Sequence, residues 1–385
     1  MRSWLWVVLG VSGCADPGLG VLGGKDGDIS GSLLQVGERS DGLHNVQDLD
    51  FNPAVSGELW TVNRRDDSVA IFDVTDPQNP TSEHIIDPYA LHFMEQVSSI
   101  SFGEHGTFAT CQDSRNTYND AAEGNDFMGP TLWSSEMDVF GQSNPNAVSY
   151  LTDLFGGPVD LGSHLDMLHE SPECMGIEWD HDNVYWVYDG FHGSINRYDF
   201  QVDHGPGFDN HCDGDIQRWT GLELSRVEGV VSHLTLDRQH GILYIADTGN
   251  NRVLALDTSS GSRGRSLASV EDGSCQQTYG ISGPAHYVWR GSDVTVVASN
   301  LEHPSGIHLV DGLLFVAENG TGRIHAFDVS EATEIDDVVG LEAVGVAETG
   351  IPAGGIQGIN LPSAEELWIV DNDGRALWLM DATKQ

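Results

Sequence analysis

The sequence predicts an all-β protein, with one closed ring of repeated antiparallel sheets in place of several separate domains. Three observations carry the prediction. A β-rich run, a polar turn and a second β-rich run recur six times between Leu59 and Asp381. Each such pair is preceded by a further short run whose alternation would set one face against a neighbouring unit. Glycine is abundant, at 46 residues against 14 prolines, which suits many tight turns and few long helices.

The chain starts with Met1-Arg2-Ser3 and an apolar run from Trp4 to Val11, too short to span a bilayer and in the pattern of a secretory signal peptide. Residues 1–13 are therefore expected to be a signal. Val11-Ser12-Gly13-Cys14 resembles the bacterial lipobox, which implies that Cys14 is lipidated and becomes the mature N-terminus. Residues 14–30 are rich in Gly and Asp, with too little apolar surface to fold, and read as a flexible tether. Residues 31–385 form the ring. It needs a closing strand for its last unit, which runs out after three, and the segment Leu33–Val36 is expected to supply it by pairing near Leu377.

The most legible copy is Gly241-Ile242-Leu243-Tyr244-Ile245-Ala246-Asp247-Thr248-Gly249-Asn250-Asn251-Arg252-Val253-Leu254-Ala255-Leu256-Asp257, a hairpin by composition. Leu314–Asp328 and Leu367–Asp381 repeat it, as do Leu59–Asp73 and Tyr185–Asp199. Thr107–Cys111 opens a weaker sixth copy, whose turn swells to include Asn116 to Gly129. The short runs in front of the hairpins are Asp48–Phe51, Ser99–Phe102, Gly176–Trp179, Leu234–Leu236, Gly306–Leu309 and Gly358–Leu361, expected as inner strands around a channel. One unit cannot bury both faces of its sheet, so six copies fit a single six-bladed β-propeller with four-stranded blades. The turn Asp247-x-x-Asn250-x-Arg252, flanked by apolar strands, closely resembles the NHL repeat. The whole is similar to six-bladed propellers of the NHL or TolB-like type, which host enzymes and plain interaction modules alike.

Composition narrows the function. There are 17 Lys+Arg against 59 Asp+Glu and a formal net charge of -42, so binding to nucleic acid or to an anionic lipid surface is electrostatically unfavourable. Cys111, Cys174, Cys212 and Cys275 allow three disulfide pairings in an exported chain. The sequence has no CxxC zinc pair, no Gly-x-Ser-x-Gly elbow and no phosphate-binding Gly-Lys-Ser/Thr loop.

Two groups of residues suggest metal chemistry. Glu173, His233 and His303 stand just before the inner strands of successive blades, and His192 lies in a turn expected on the same face. Carboxylate and imidazole donors from adjacent blades can form a site with an open position. This resembles the peptidylglycine amidating lyase propellers, where one His from each of three blades holds zinc. On that resemblance His233 and His303 are ligands, with His192 or Glu173 as the third. The second group is the Gly-rich loop carrying Asp203, His204, Asp209, His211, Asp213 and Asp215. Its carboxylates suit Ca²⁺ and its imidazoles suit zinc or copper.

The functional expectation is a lipid-anchored extracytoplasmic propeller on a bacterial membrane. It is monomeric, meets the membrane only through its lipid, and binds a small-molecule or protein ligand at the channel face with a divalent cation, Ca²⁺ or Zn²⁺. The alternative is a metal-dependent lyase or hydrolase with a His/Glu site at the channel mouth.

Overall fold

A computed structural model of the chain describes residues 33–104, 106–115, 126–146, 156–208 and 210–381. The signal segment, Cys14, the tether and Asp209 lie outside the described residues, as do residues 116–125 of the blade-two insertion.

Six antiparallel sheets surround a channel. Blade one consists of Val46–Phe51, Glu58–Asn63, Ser68–Asp73 and Thr81–Ile86, from the channel outward. Blade two has Val97–Phe102, Thr107–Gln112, Thr131–Ser134 and His164–Met167. Blade three has Cys174–His181, Val184–Asp189, Ser194–Asp199 and Asp215–Trp219, and blade four Leu234–Asp237, Ile242–Asp247, Arg252–Asp257 and Val294–Ser299. Blade five has Pro304–Val310, Leu313–Glu318, Arg323–Asp328 and Gly345–Glu348. Blade six takes Ile356–Ser363, Glu366–Asp371 and Ala376–Asp381 from the C-terminal part of the chain and Leu34–Gly37 from the N-terminal part.

The ring closes as the sequence predicts. Leu34 pairs with Leu379, Gln35 with Trp378 and Gly37 with Leu377, antiparallel. Without this strand the edge of Ala376–Asp381 would present unpaired backbone groups to solvent. The apolar residues gather between blades, because each sheet uses its two faces against its two neighbours. Trp60, Phe102, Phe108 and Trp133 fill the space between blades one and two. Leu49, Phe72, Trp368 and Leu379 do the same across the seam between blades six and one.

One feature goes beyond four strands per blade. The connection between the third and fourth strands of blade four sends Ala285–Arg290 to pair in parallel with the outer strand of blade three, and Ser262–Ser266 to pair beyond it. Blade three thus becomes a six-stranded sheet. The insertion adds aromatic packing, with Trp219 stacked on Trp289 at 5.4 Å between ring centroids and meeting Trp186 edge-on at 5.1 Å.

Two disulfides resolve the pairing that sequence left open: Cys111–Cys174 joins blades two and three, and Cys212–Cys275 ties the blade-three loop to the short helix Asp272–Thr278 of the insertion. Each spans a sequence separation of 63 residues. In loop-entropy terms a link of that span stabilises by up to about 4 kcal/mol. No helix among the described residues is long and apolar enough to cross a membrane.

Ring closure is directly testable. A chain beginning at Glu38 is expected to melt on the order of 10 °C below one beginning at Leu33, measured by circular dichroism. Equal melting temperatures would show that the seam strand contributes nothing.

Candidate functional site

The site begins with the inner strands. Successive inner strands belong to different sheets and do not pair with each other, so backbone groups on their channel edges need other partners. Side chains provide them in a belt. Asp50, Ser101, Glu178 and Thr235 accept the N–H of Phe102, Trp179, Leu236 and Leu309 in the next blade, at 2.8, 3.0, 3.2 and 3.3 Å. His308 bonds the backbone of Leu361, and Asn360 Nδ2 donates to Asp50 Oδ1 at 2.9 Å, which closes the belt. Asp48 repeats the motif two residues earlier, accepting the N–H groups of Ile100 at 2.9 Å and Leu49 at 2.8 Å.

The belt puts three carboxyl groups into one narrow, desolvated channel. Burial pushes Asp48 well above the usual carboxylate range, Asp50 up to about 6 and Glu178 up to about 7. Burial acts oppositely on the imidazoles, holding His233 at about 3 and His308 at about 4, so both are neutral at physiological pH. His233 lies beside Asp48, Nδ1 3.4 Å from Oδ1.

The two ends of the channel differ. At one end the loop leading into blade four crosses the opening. Its Arg226 reaches Glu173 Oε2 at 2.9 Å and Asp113 Oδ1 at 3.1 Å, and Arg64 meets the other Asp113 oxygen at 3.0 Å. Gly229 N donates to Asp113 and Gln357 Nε2 donates to Gly229 O, which fastens the loop to blades two, three and six. At the other end a cavity of about 780 Å³ is lined by Asp50, Phe102, Glu178, Trp179, Arg238 and His308, among others. Arg238 lies over the Trp179 ring, 4.6 Å from its centroid, and donates to Glu178 Oε1 at 3.0 Å. A smaller space of about 60 Å³ continues inward past Asp48, His233 and Asn360.

Glu173, His233 and His303 directly precede the inner strands Cys174–His181, Leu234–Asp237 and Pro304–Val310, as expected, and His192 lies in the turn after Val184–Asp189. Glu173 and His303 occupy the same repeat position as Asn45 and Gln96, all four with left-handed φ between 52° and 67°. Their carbonyls accept N–H groups of the hairpin turn of their own blade, from Gly190 and Asn319 for Glu173 and His303, and from Arg64 and Asp113 for Asn45 and Gln96. His192 Nδ1 lies 2.8 Å from Asp189 and Nε2 3.5 Å from Asp126. Burial works to lower its pKa, but these two carboxylates prevail and raise it to about 9, so the ring is cationic at neutral pH.

Among the described residues, two triplets hold metal-type donors within 4.8 Å of one another: His44, Asp66 and His84, and Asp166, His204 and Asp213. The second draws on the predicted Gly-rich loop. His204 Nε2 lies 2.9 Å from Asp213 Oδ1, and His211 Nδ1 lies 2.7 Å from Asp166 Oδ1. Asp203 instead bonds the Gly205 N–H at 2.7 Å, and Asp215 lies in the blade-three outer strand beside Gln217. Asp166, Asp48, Asp50, Glu178, His308 and Asn360 were not singled out by sequence. For all but Asp166 the signal was alternation: Asp48 and Asp50, or Ser99 and Ser101, are polar residues two apart within runs read as inner strands.

Glu178 should leave a mark on stability. Its folded pKa of about 7 exceeds that of an unfolded Glu, so its stabilising contribution is complete at low pH and is lost as pH rises through about 7. Glu178→Gln, which keeps an acceptor for Leu236 N–H, is expected to flatten the fall in stability between pH 4.5 and pH 8 by about 3 kcal/mol at most. Urea titrations across that range measure it, and an unchanged slope would contradict the burial account.

No protein-family model and no curated protein matches the sequence. Among solved structures, the chain is similar to a structural-genomics protein of unknown function from Bacteroides thetaiotaomicron, with a TM-score of 0.52, 9% identity, and coverage of 91% of this chain and 76% of that one. An auxiliary nutrient binding protein from the same organism gives a TM-score of 0.48 at 12% identity, covering 92% and 70%. Regucalcin, a calcium-binding protein from Agrobacterium tumefaciens, gives 0.48 at 12%, covering 91% and 93%. At these identities the likeness is one of fold: an all-β, six-bladed propeller.

Proposed function

We propose that the protein is a lipid-anchored, extracytoplasmic propeller of NHL-like type. It binds a small polar ligand together with a divalent cation at the open end of its channel. The observation that carries the reading is the charge imbalance there. Asp48, Asp50 and Glu178 converge on one channel, and Arg238 reaches Glu178. A hard divalent cation accepts carboxylate and amide oxygens, and Asp50, Glu178 and Asn360 offer both. Trp179 and Phe102 add apolar walls and Arg238 a place for an anionic group, the mixture expected of a small-molecule site.

The NHL-like reading is supported by the blade-four turn. Asp247 Oδ2 accepts from Asn250 Nδ2 at 2.8 Å and from Arg252 Nε at 2.7 Å, so the three motif residues knit their own hairpin. The extracytoplasmic placement rests on the signal-like N-terminus and on the two disulfides, which persist in oxidising compartments.

A second reading, a metal-dependent lyase or hydrolase at the same cavity, is favoured by the placement of Glu178 in the cavity lining, where burial pushes its carboxyl up to about 7, the range of a general base. Turnover abolished in Glu178→Gln would favour it over simple binding.

The binding reading is tested by calorimetry with Ca²⁺ at two pH values. Deprotonation of Glu178 and Asp50 must accompany cation binding, so affinity should rise about tenfold from pH 6 to pH 8, with proton release at pH 6. Glu178→Gln should remove most of that dependence. The absence of Ca²⁺ binding at pH 8 would overturn the cation's part in the reading.

A further inference from the structure

A second and chemically different site lies on the outer rim between blades two and three. Asp166 belongs to the outer strand of blade two, His164–Met167. Its carboxyl is fully buried, with 0% of its side chain exposed. One oxygen, Oδ1, receives the Met167 N–H at 2.7 Å and faces His211 Nδ1 at 2.7 Å. The other, Oδ2, has no hydrogen-bond partner among the described residues. A buried carboxylate oxygen without a donor carries the full desolvation cost of an unmade bond. Burial raises the Asp166 pKa, and the neighbouring His211 and His204 oppose that rise.

Facing Asp166 is the loop between the third and fourth strands of blade three. It brings His204 Nε2 and an Asp213 oxygen so near that donor atoms of all three residues lie within 4.8 Å of one another. A zinc ion with bonds of about 2.1 Å needs donors roughly 3.4 Å apart in tetrahedral geometry, so small side-chain movements complete the set. The loop is tied down independently by Cys212–Cys275. His204 is 16% exposed and Asp213 34%, which leaves the site open to solvent on one side.

We propose that Asp166, His204 and Asp213 form a zinc-class transition-metal site, with His211 orienting the Asp166 carboxylate and the solvent side supplying the fourth position. Two carboxylates neutralise the divalent charge, and the imidazole favours zinc over calcium. His211 stands to Asp166 as outer partners stand to ligating groups in zinc sites. The ion would join the rim of blade two to the blade-three loop as a structural cross-link. It is independent of the channel, whose donors are oxygen-rich and lie on the inner strands.

The experiment uses a His44→Ala/His84→Ala protein, because the His44–Asp66–His84 triplet is a second place where zinc could lodge. Purified without a His-tag and stripped of metal, it should bind one equivalent of Zn²⁺ by calorimetry, with a dissociation constant of micromolar or below. Its melting temperature should rise by about 5 °C in excess Zn²⁺. Adding Asp166→Asn or His204→Ala should weaken Zn²⁺ binding at least tenfold and abolish that rise. The His204 change is at a half-buried loop residue, so the test stands even if the Asp166 variant fails to fold. Adding Glu178→Gln instead should leave Zn²⁺ binding untouched, which keeps failure of this site distinct from failure of the channel reading. Absence of Zn²⁺ binding in the parent, or binding retained in His204→Ala, overturns the proposal.

Discussion

The hydrogen-bonding need of the inner strands governs the centre of this molecule. Each blade turns an edge strand toward the channel, and successive inner strands belong to different sheets and form no ladder with one another. Asp50, Ser101, Glu178 and Thr235 each take an amide of the next blade instead, and His308 and Asn360 complete the belt around the ring. The channel is therefore polar by structural necessity. Where the belt residue is a carboxylate, that necessity also produces a desolvated, proton-retaining acid. Structural and functional demands meet on Asp50 and Glu178, so neither role can be altered there alone.

The acidity of the chain divides along similar lines. At the end of the third strand in blades one, three, four and five, Asp73, Asp199, Asp257 and Asp328 each accept the N–H two residues on, at 2.8 to 3.0 Å. These are local turn bonds repeated by the repeat itself. A smaller share of the acid faces arginine. Arg226 bridges Glu173 and Asp113, and Arg252 serves Asp247. A planar guanidinium can serve two carboxylates at once, a geometry that lysine lacks. That fits a chain with only two lysines, Lys25 and Lys384.

The blades were legible because their signals are local: period-two alternation, a polar turn, and a strand-ending Asp or Asn occur within some twenty residues of one another. Ring closure by Leu33–Val36 was legible too, since an unpaired edge has few candidate partners. The site was not, for two physical reasons. Which blade faces which is set by closure, so the meeting of Asp48 with His233, or of Asp166 with the loop around His204, joins segments whose sequences say nothing of each other. Positions that looked chemical also had a backbone role. Glu173 and His303 stand where the chain needs a left-handed residue, a role filled in other blades by Asn45 and Gln96. The blade-four insertion was hidden for a further reason: parallel addition to another blade's edge leaves no hairpin signature.

The disulfides and the insertion divide the ring into two mechanically unequal arcs. Blades two and three share Cys111–Cys174, while the blade-three loop and the blade-four insertion share Cys212–Cys275. The parallel strand Ala285–Arg290 adds a hydrogen-bonded strap across the same stretch. The arc from five through six to one has no such cross-links among the described residues, and its seam is held by one short strand and the apolar cluster around Trp368. Breathing of the ring should therefore start at the seam and stop at the stapled arc. Amide exchange resolved by blade would register this as fast opening in Leu34–Gly37 and Ala376–Asp381 while Ser194–Asp199 stays closed.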